Sequence, residues 1–150
     1  MSEGFVRVRG VCRTYRRGGE TLRVLGGLDL SIAEGAFYAL MGPSGSGKST
    51  LLNLIGGLDR PDAGEVVVAG QDLGELDENE LAAWRAEHVG FVFQGFNLLP
   101  VLTARENVEL PLLLSPLNRS QRRAQALRAL ELVGLRDRVD HKPRELSGGQ

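Results

Sequence analysis

The sequence is poor in cysteine, in net charge and in long apolar runs, and each shortage excludes a class of protein. The single cysteine, Cys12, cannot form an internal disulfide, which favours a reducing compartment. The net charge of −1 gives no general attraction to nucleic acid or to anionic lipid. The start of the chain lacks the basic-then-apolar pattern of a signal peptide. No apolar run approaches the roughly 20 residues that span a bilayer.

The rest of the composition is that of one soluble globular domain. The chain has 150 residues, of which 42% are hydrophobic and 25% are charged. Basic residues cluster in two short runs, which are typical of solvated faces: Arg13, Arg16 and Arg17, then Arg119, Arg122 and Arg123.

Apolar spacing in the first part of the chain predicts strands followed by a helix. Residues 5–11 and 22–32 alternate as strands do, and residues 37–41 form a continuous apolar run typical of a strand buried on both faces. From Ser49 the apolar residues recur at helical spacing, which predicts a helix that ends near Gly56 or Gly57.

The later residues predict two more strands and then only helices. Residues 65–69 and 89–93 have strand composition, and the second run ends at Gln94. Residues 77–80 and 103–106 each fit a capping box, and Ser120 is the predicted cap of a helix that stops at Gly134. The sequence therefore predicts an α/β fold with strands first and helices after about residue 95.

Between the predicted apolar strand and the first helix lies a phosphate-binding loop of the form G-x-x-x-x-G-K-[ST]. Glycines let several backbone N–H groups point at one anion, and the following helix adds its positive N-terminus. The lysine supplies a charge for the β- and γ-phosphates, and the serine hydroxyl can bind Mg²⁺. A plain glycine turn is the alternative, but the flanking strand and helix favour ATP with Mg²⁺ as ligand. The nucleotide-binding residues are Gly42, Pro43, Ser44, Gly45, Ser46, Gly47, Lys48, Ser49 and Thr50.

The end of the chain carries a second motif that resembles the signature motif of ABC ATPases. Its residues are Leu146, Ser147, Gly148, Gly149 and Gln150. Gln94 is similar to the Q-loop glutamine of that family, which implies contact with Mg²⁺ and with the attacking water. Tyr15 lies where the family places an aromatic residue that stacks on adenine, using only its ring face. A Ser-Gly-Gly turn, a surface glutamine and a packing tyrosine are the alternative interpretations.

Residues 91–100 and 102–108 are similar to the subfamily of lipoprotein-releasing and macrolide-export complexes. The resemblance implies an ATPase that couples ATP binding and hydrolysis to a transmembrane permease. It would lie in the cytoplasm, peripheral on the inner face of the cell membrane, and would bind no nucleic acid. Two copies would form a homodimer in which Lys48, Ser49 and Gln94 of one copy face Ser147 and Gly149 of the other.

The resemblance covers only the front part of the family's domain. It implies a β subdomain and phosphate-loop core to about residue 94, then a helical subdomain from about 95 to 150. The fold class is that of a P-loop NTPase core, incomplete at the C-terminus. No Walker B aspartate, catalytic glutamate or switch histidine can be matched, so we expect no turnover by the 150 residues alone. A truncated module that only binds nucleotide, and a non-transport ABC protein acting on DNA or ribosomes, are the alternatives.

Overall fold

Alternating apolar residues in the first part of the chain form an antiparallel sheet. The computed structural model describes residues 4–150, with only the backbone of Arg17. Strands β1 (Val6–Arg17) and β2 (Glu20–Ile32) form a hairpin, and β3 (Ala63–Val68) and β4 (Gln71–Asp72) extend it in the order β2-β1-β3-β4. Every pairing is antiparallel. The predicted strands at residues 5–11, 22–32 and 65–69 are confirmed.

Helices α1 (Lys48–Ile55) and α2 (Glu78–His88) share one apolar core with this sheet. Leu51 and Leu54 turn to the core because they lie on one face of α1. Trp84 of α2 is 7% exposed and stacks on His88 at 5.4 Å between ring centroids. The buried cluster comprises Val6, Val8, Val11, Leu25, Leu51, Leu54, Val66, Val68, Leu73, Leu81 and Trp84.

The described residues divide into two compact units, one ending at Phe91 and one beginning at Val92. The second unit contains α3 (Ala104–Glu109) and α4 (Arg119–Leu132), with short 3-10 turns at Pro111–Leu114, Arg136–Arg138 and Pro143–Glu145. Ala126 and Leu130 of α4 are buried. Within this unit no strand forms among the described residues, as the sequence predicted. No helix in the described part of the chain combines the length and apolarity needed to cross a bilayer.

Side-chain caps fix the starts of the three later helices. The predicted capping boxes are confirmed at α2, with Asp77 and Glu80, and at α3, with Thr103 and Glu106. The prediction that Ser120 caps α4 is wrong. The cap is Asn118, whose side chain accepts from the N–H of Gln121 while the Gln121 amide accepts from the N–H of Asn118.

The predicted strands at residues 37–41 and 89–93 are wrong, because neither segment forms a strand or joins a sheet in the described part of the chain. Phe37 is 100% exposed, Met41 is 91% exposed and Val92 is 95% exposed. A β-strand needs a partner for its backbone N–H and C=O groups, and apolar composition alone does not supply one. Both segments leave apolar side chains in water.

Candidate functional site

The loop of residues 42–47 leads into α1 through glycines in conformations that other residues avoid. Gly42, Gly45 and Gly47 have φ angles of 154°, 80° and 88°. A Cβ on Gly47 would lie 2.9 Å from Cδ2 of Leu25 and 3.1 Å from the carbonyl oxygen of Val24. The loop is therefore packed directly on β2, and only glycine fits where it touches the strand.

Lys48 folds back into this loop. Its Nζ donates to the carbonyl oxygens of Gly42, at 2.9 Å, and of Pro43, at 2.7 Å, and lies 3.3 Å from Oγ of Ser46. These oxygens are neutral, so they orient the ammonium group without cancelling its charge. A phosphate oxygen would be a stronger partner, because it carries a negative charge that the neutral carbonyl oxygens lack.

The N-terminus of α1 is left open, unlike those of α2, α3 and α4. Its N-cap is Gly47, with φ 88° and ψ 3°, and no side chain caps the helix. No acidic residue lies in its first turn. The first N–H groups of a helix lack intrahelical partners and carry a positive partial charge of roughly 0.5. An anion is the ligand that this helix end can accept.

Tyr15 and the phosphate loop line the same cavity, which has a volume of about 340 Å³. Its lining combines Tyr15, Leu22 and Val24 of the hairpin with residues 44–50. The structure thus brings together Tyr15 and the loop, two features that lie far apart in the sequence. Stacking of Tyr15 on a base stays a prediction. A larger cavity of about 620 Å³, lined by residues such as Phe5, Ser31 and Ala69, contains no phosphate-loop residue.

Sequence reasoning missed two residues that contact Tyr15. Asp59 accepts a hydrogen bond from the Tyr15 hydroxyl at 2.7 Å, and the Arg13 guanidinium lies 4.8 Å from the ring centroid. Arg13 was expected on a solvated face, but its side chain is only 21% exposed and pairs with Asp59 and Asp62. The pKa of Arg13 is raised above its usual value, first by hydrogen bonding to Tyr15 and then by these two carboxylates. Asp59 lies 44 positions from Tyr15 and 46 from Arg13, so the local sequence pattern gives no signal of these contacts.

Gln94 lies in the second unit, in a turn rather than at the end of a strand. The N–H of Phe96 donates to the carbonyl of Phe93 at 2.9 Å. Phe96 and Asn97 both have positive φ angles, 59° and 52°. This backbone leaves Gln94 exposed, together with most of the apolar side chains that follow it.

The signature-like segment is a hydrogen-bonded turn. The N–H of Gln150 donates to the carbonyl of Ser147 at 3.0 Å, and the N–H of Ser147 donates to the Gln150 side-chain oxygen at 3.0 Å. Leu146 is half-buried and the other four residues are exposed. A Cβ on Gly148 or Gly149 would meet open space, so neither glycine is required for packing within this chain.

Comparison with known proteins decides the family. The ABC transporter family matches residues 25–150 of the chain. The chain belongs to the ABC transporter family. Its P-loop NTPase fold, with an antiparallel β part and a helical part, is likewise that of ABC ATPase cassettes of known structure, as predicted.

Two curated relatives and one solved structure illustrate the ABC match. The chain is 50% identical over 145 residues to the lipoprotein-releasing system ATP-binding protein LolD of Xanthomonas oryzae pv. oryzae, covering 97% of this chain and 59% of LolD. It is 48% identical over 145 residues to the macrolide export ATP-binding/permease protein MacB of Marinobacter nauticus, covering 97% of this chain and 22% of MacB. The dimeric ATP-binding cassette MJ0796, in a post-hydrolysis state bound to ADP and Pi, superposes with a TM-score of 0.84 at 47% identity. That superposition covers 97% of this chain and 64% of the cassette.

The relatives thus include a lipoprotein-releasing and a macrolide-export protein, the two kinds of complex that the predicted subfamily serves. The chain spans less than two thirds of the length of each protein compared here. Family membership carries nucleotide binding and ATP hydrolysis as the family's activity.

Proposed function

We propose that this chain is the nucleotide-binding part of an ABC-type subunit that drives export or lipoprotein release. The observation that carries the proposal is the phosphate loop, which holds Lys48 inside it and ends at an uncapped helix N-terminus packed on β2. LolD and MacB, the relatives named above, are a lipoprotein-releasing and a macrolide-export protein.

In this proposal different residues of the first unit bind different parts of MgATP. The N–H groups at the start of α1 bind the phosphates, and Lys48 shifts its hydrogen bonds from loop carbonyls to the β- and γ-phosphates. The exposed Ser49 hydroxyl would hold Mg²⁺, which neutralises charge on the phosphates when bound. For Gln94, a role toward Mg²⁺ is proposed on the resemblance alone. Tyr15 stacks on the adenine.

A second copy of the chain completes the site. The MJ0796 cassette is dimeric in its solved structure, which supports a homodimer here. In it, Ser147 and Gly149 of one copy would approach the nucleotide bound by Lys48 and Ser49 of the other. The lack of any packing role for Gly149 within the chain fits a residue kept free for such an approach.

The proposed partner beyond the second copy is a transmembrane permease, reached from the cytoplasmic face of the membrane. Residues 94–102 form an exposed segment that carries Phe96, at 58% exposed, with Leu98 and Leu99 at 45% and 44%. Exposed apolar side chains in a loop are typical of a protein contact. MacB combines ATP-binding and permease functions in one protein by name, which supports a permease partner.

Turnover is proposed to require more than these residues. Hydrolysis of the γ-phosphate needs a metal ion and a positioned water, and general-base assistance alone contributes about 10²–10⁴ in rate. In residues 1–150 no acidic residue matches those roles. We therefore favour nucleotide binding by this stretch, with ATP hydrolysis coupled to transport as the activity of the whole protein.

The test compares Lys48→Ala with Arg128→Ala, which removes the same charge from an exposed position on α4. Loss of charge-assisted hydrogen bonds of about 1.5–3 kcal/mol weakens MgATP binding about ten- to a hundredfold in Lys48→Ala. The Arg128→Ala variant should bind like the parent. Titration with a fluorescent ATP analogue measures this, and equal affinities for parent and Lys48→Ala would refute the proposal. A phosphate-release assay on the same proteins should show no Lys48-dependent turnover.

A further inference from the structure

The hydroxyl of Tyr15, the tyrosine beside the phosphate loop, is held by a hydrogen bond. The Tyr15 hydroxyl donates to Oδ2 of Asp59 at 2.7 Å, and the two residues are 44 positions apart. Asp59 follows the end of α1, so this bond joins β1 to the segment that leaves the nucleotide-binding helix. A tyrosine side chain has two rotatable bonds, and a fixed hydroxyl removes most of their freedom.

Asp59 is itself held by a two-pronged ion pair. Arg13 donates from Nε to Oδ2 at 3.0 Å and from Nη2 to Oδ1 at 2.6 Å, with both side chains 21% exposed. The third prong of the guanidinium, Nη1, reaches Oδ1 of Asp62 at 2.7 Å. The other oxygen of Asp62 accepts from the N–H of Thr14 at 2.6 Å. Paired bonds of this kind fix orientation as well as distance.

Arg13 also covers one face of the Tyr15 ring. Its guanidinium carbon lies 4.8 Å from the ring centroid, within the range of a cation–π contact. Arg13 lines a separate cavity of about 300 Å³ with Asp59, Arg60 and Arg85, whereas Tyr15 lines the phosphate-loop cavity. Arg13 therefore occupies one face of the ring, and Tyr15 also lines the cavity that contains the phosphate loop.

We propose that Asp59 and Arg13 are positioning residues that hold the Tyr15 ring ready for the nucleotide base, an assignment that rests on the proposed function. The hydrogen bond to Asp59 sets the direction of the ring. The Arg13 guanidinium covers one ring face and so limits rotation of the ring, which keeps the other face available to the base. Neither residue touches the ligand. Pre-ordering a side chain in this way strengthens binding because less freedom is lost when the ligand arrives.

Variants of Tyr15 and Asp59 should differ in their affinity for ATP. If only the ring face mattered, Tyr15→Phe would bind ATP like the parent. Because the hydroxyl anchors the ring, Tyr15→Phe should instead bind ATP about two- to tenfold more weakly, as should Asp59→Ala. Asp59→Asn keeps an oxygen that can accept from the hydroxyl, so it should recover most of the affinity.

The experiment measures the affinity of the full chain for MgATP and for inorganic triphosphate, which has phosphates but no base. Asp59→Ala should weaken ATP binding and leave triphosphate binding unchanged. In a Tyr15→Ala background, Asp59→Ala should add no further loss, because the residue it positions is gone. The control is Asp137→Ala, which removes an exposed carboxylate from the second unit; both ligands should bind it normally.

Each contrary result is distinct. Equal weakening of ATP and triphosphate by Asp59→Ala would mean a structural role and would overturn the proposal. Unchanged ATP binding by Asp59→Ala would also overturn it while leaving the proposed function standing. Failure of the parent to bind either ligand would overturn the proposed function, and this assignment with it. If Asp59→Ala does not fold, Tyr15→Phe measures the same anchor, and parent-like ATP affinity would overturn the proposal.

Discussion

A pair of glycine substitutions in the phosphate loop separates backbone strain from steric contact. Gly45 and Gly47 have similar φ angles, 80° and 88°, so an alanine at either position is strained. That strain costs about 1–2 kcal/mol of folding stability. At Gly45 a new Cβ meets nothing within 4 Å, whereas at Gly47 it meets the Leu25 side chain at 2.9 Å and the Val24 carbonyl oxygen at 3.1 Å.

Overpacking of this kind typically adds about 1–3 kcal/mol. We therefore expect Gly45→Ala to lower the folding stability only through backbone strain. Gly47→Ala should lower it by a further ~1–3 kcal/mol through overpacking. Urea unfolding followed by Trp84 fluorescence measures both, because Trp84 is buried in the same core that contains Leu25. Equal destabilisation of the two variants would refute the claim that the loop is packed against β2.

Two other predictions concern the second unit. The pKa of Glu106 is lowered by the backbone N–H and then the hydroxyl of Thr103. A carboxylate with a lower pKa in the folded state stabilises above its unfolded pKa, about 4.3, and this contribution is lost as pH falls from there through the lower folded pKa. Thermal unfolding followed by circular dichroism should therefore depend less on pH in Glu106→Gln, and an unchanged slope would contradict this. Second, a cysteine at Leu98 in a Cys12→Ser background should crosslink to a membrane permease in cells, whereas one at Ser120 should not. Capture of soluble partners alone would count against the transporter proposal.

The features that sequence predicts well here are those decided within a few residues. A capping box needs two side chains three positions apart, and Asp77 and Thr103 were found on that basis. The predicted cap Ser120 is the wrong residue, because Asn118 and Gln121 form a capping box that begins two positions earlier. The phosphate loop is also local, which is why its glycines and lysine could be named in advance.

Features that depend on distant partners could not be predicted in this way. Residues 37–41 and 89–93 have strand composition, but a strand also requires a neighbour, and composition does not specify one. Arg13 belongs to a basic run that is typical of a solvated face, yet Asp59 and Asp62 pair with it from across the fold. The same long separation hid the anchor of Tyr15.

The exposed segment of residues 37–41 has a practical consequence for work with this chain. Phe37 and Met41 stand fully or almost fully in water, in a segment that joins no sheet of the described chain. Any extended peptide that pairs with this segment gains backbone hydrogen bonds and covers apolar surface at once, and burial of such side chains stabilises by about 1.5–3 kcal/mol each. Copies of the chain itself are the most abundant such peptide in a concentrated sample. Self-association should thus rise with protein concentration. Nucleotide affinities are best measured in dilute solution, where the measured signal reports binding at the phosphate loop and not self-association through residues 37–41.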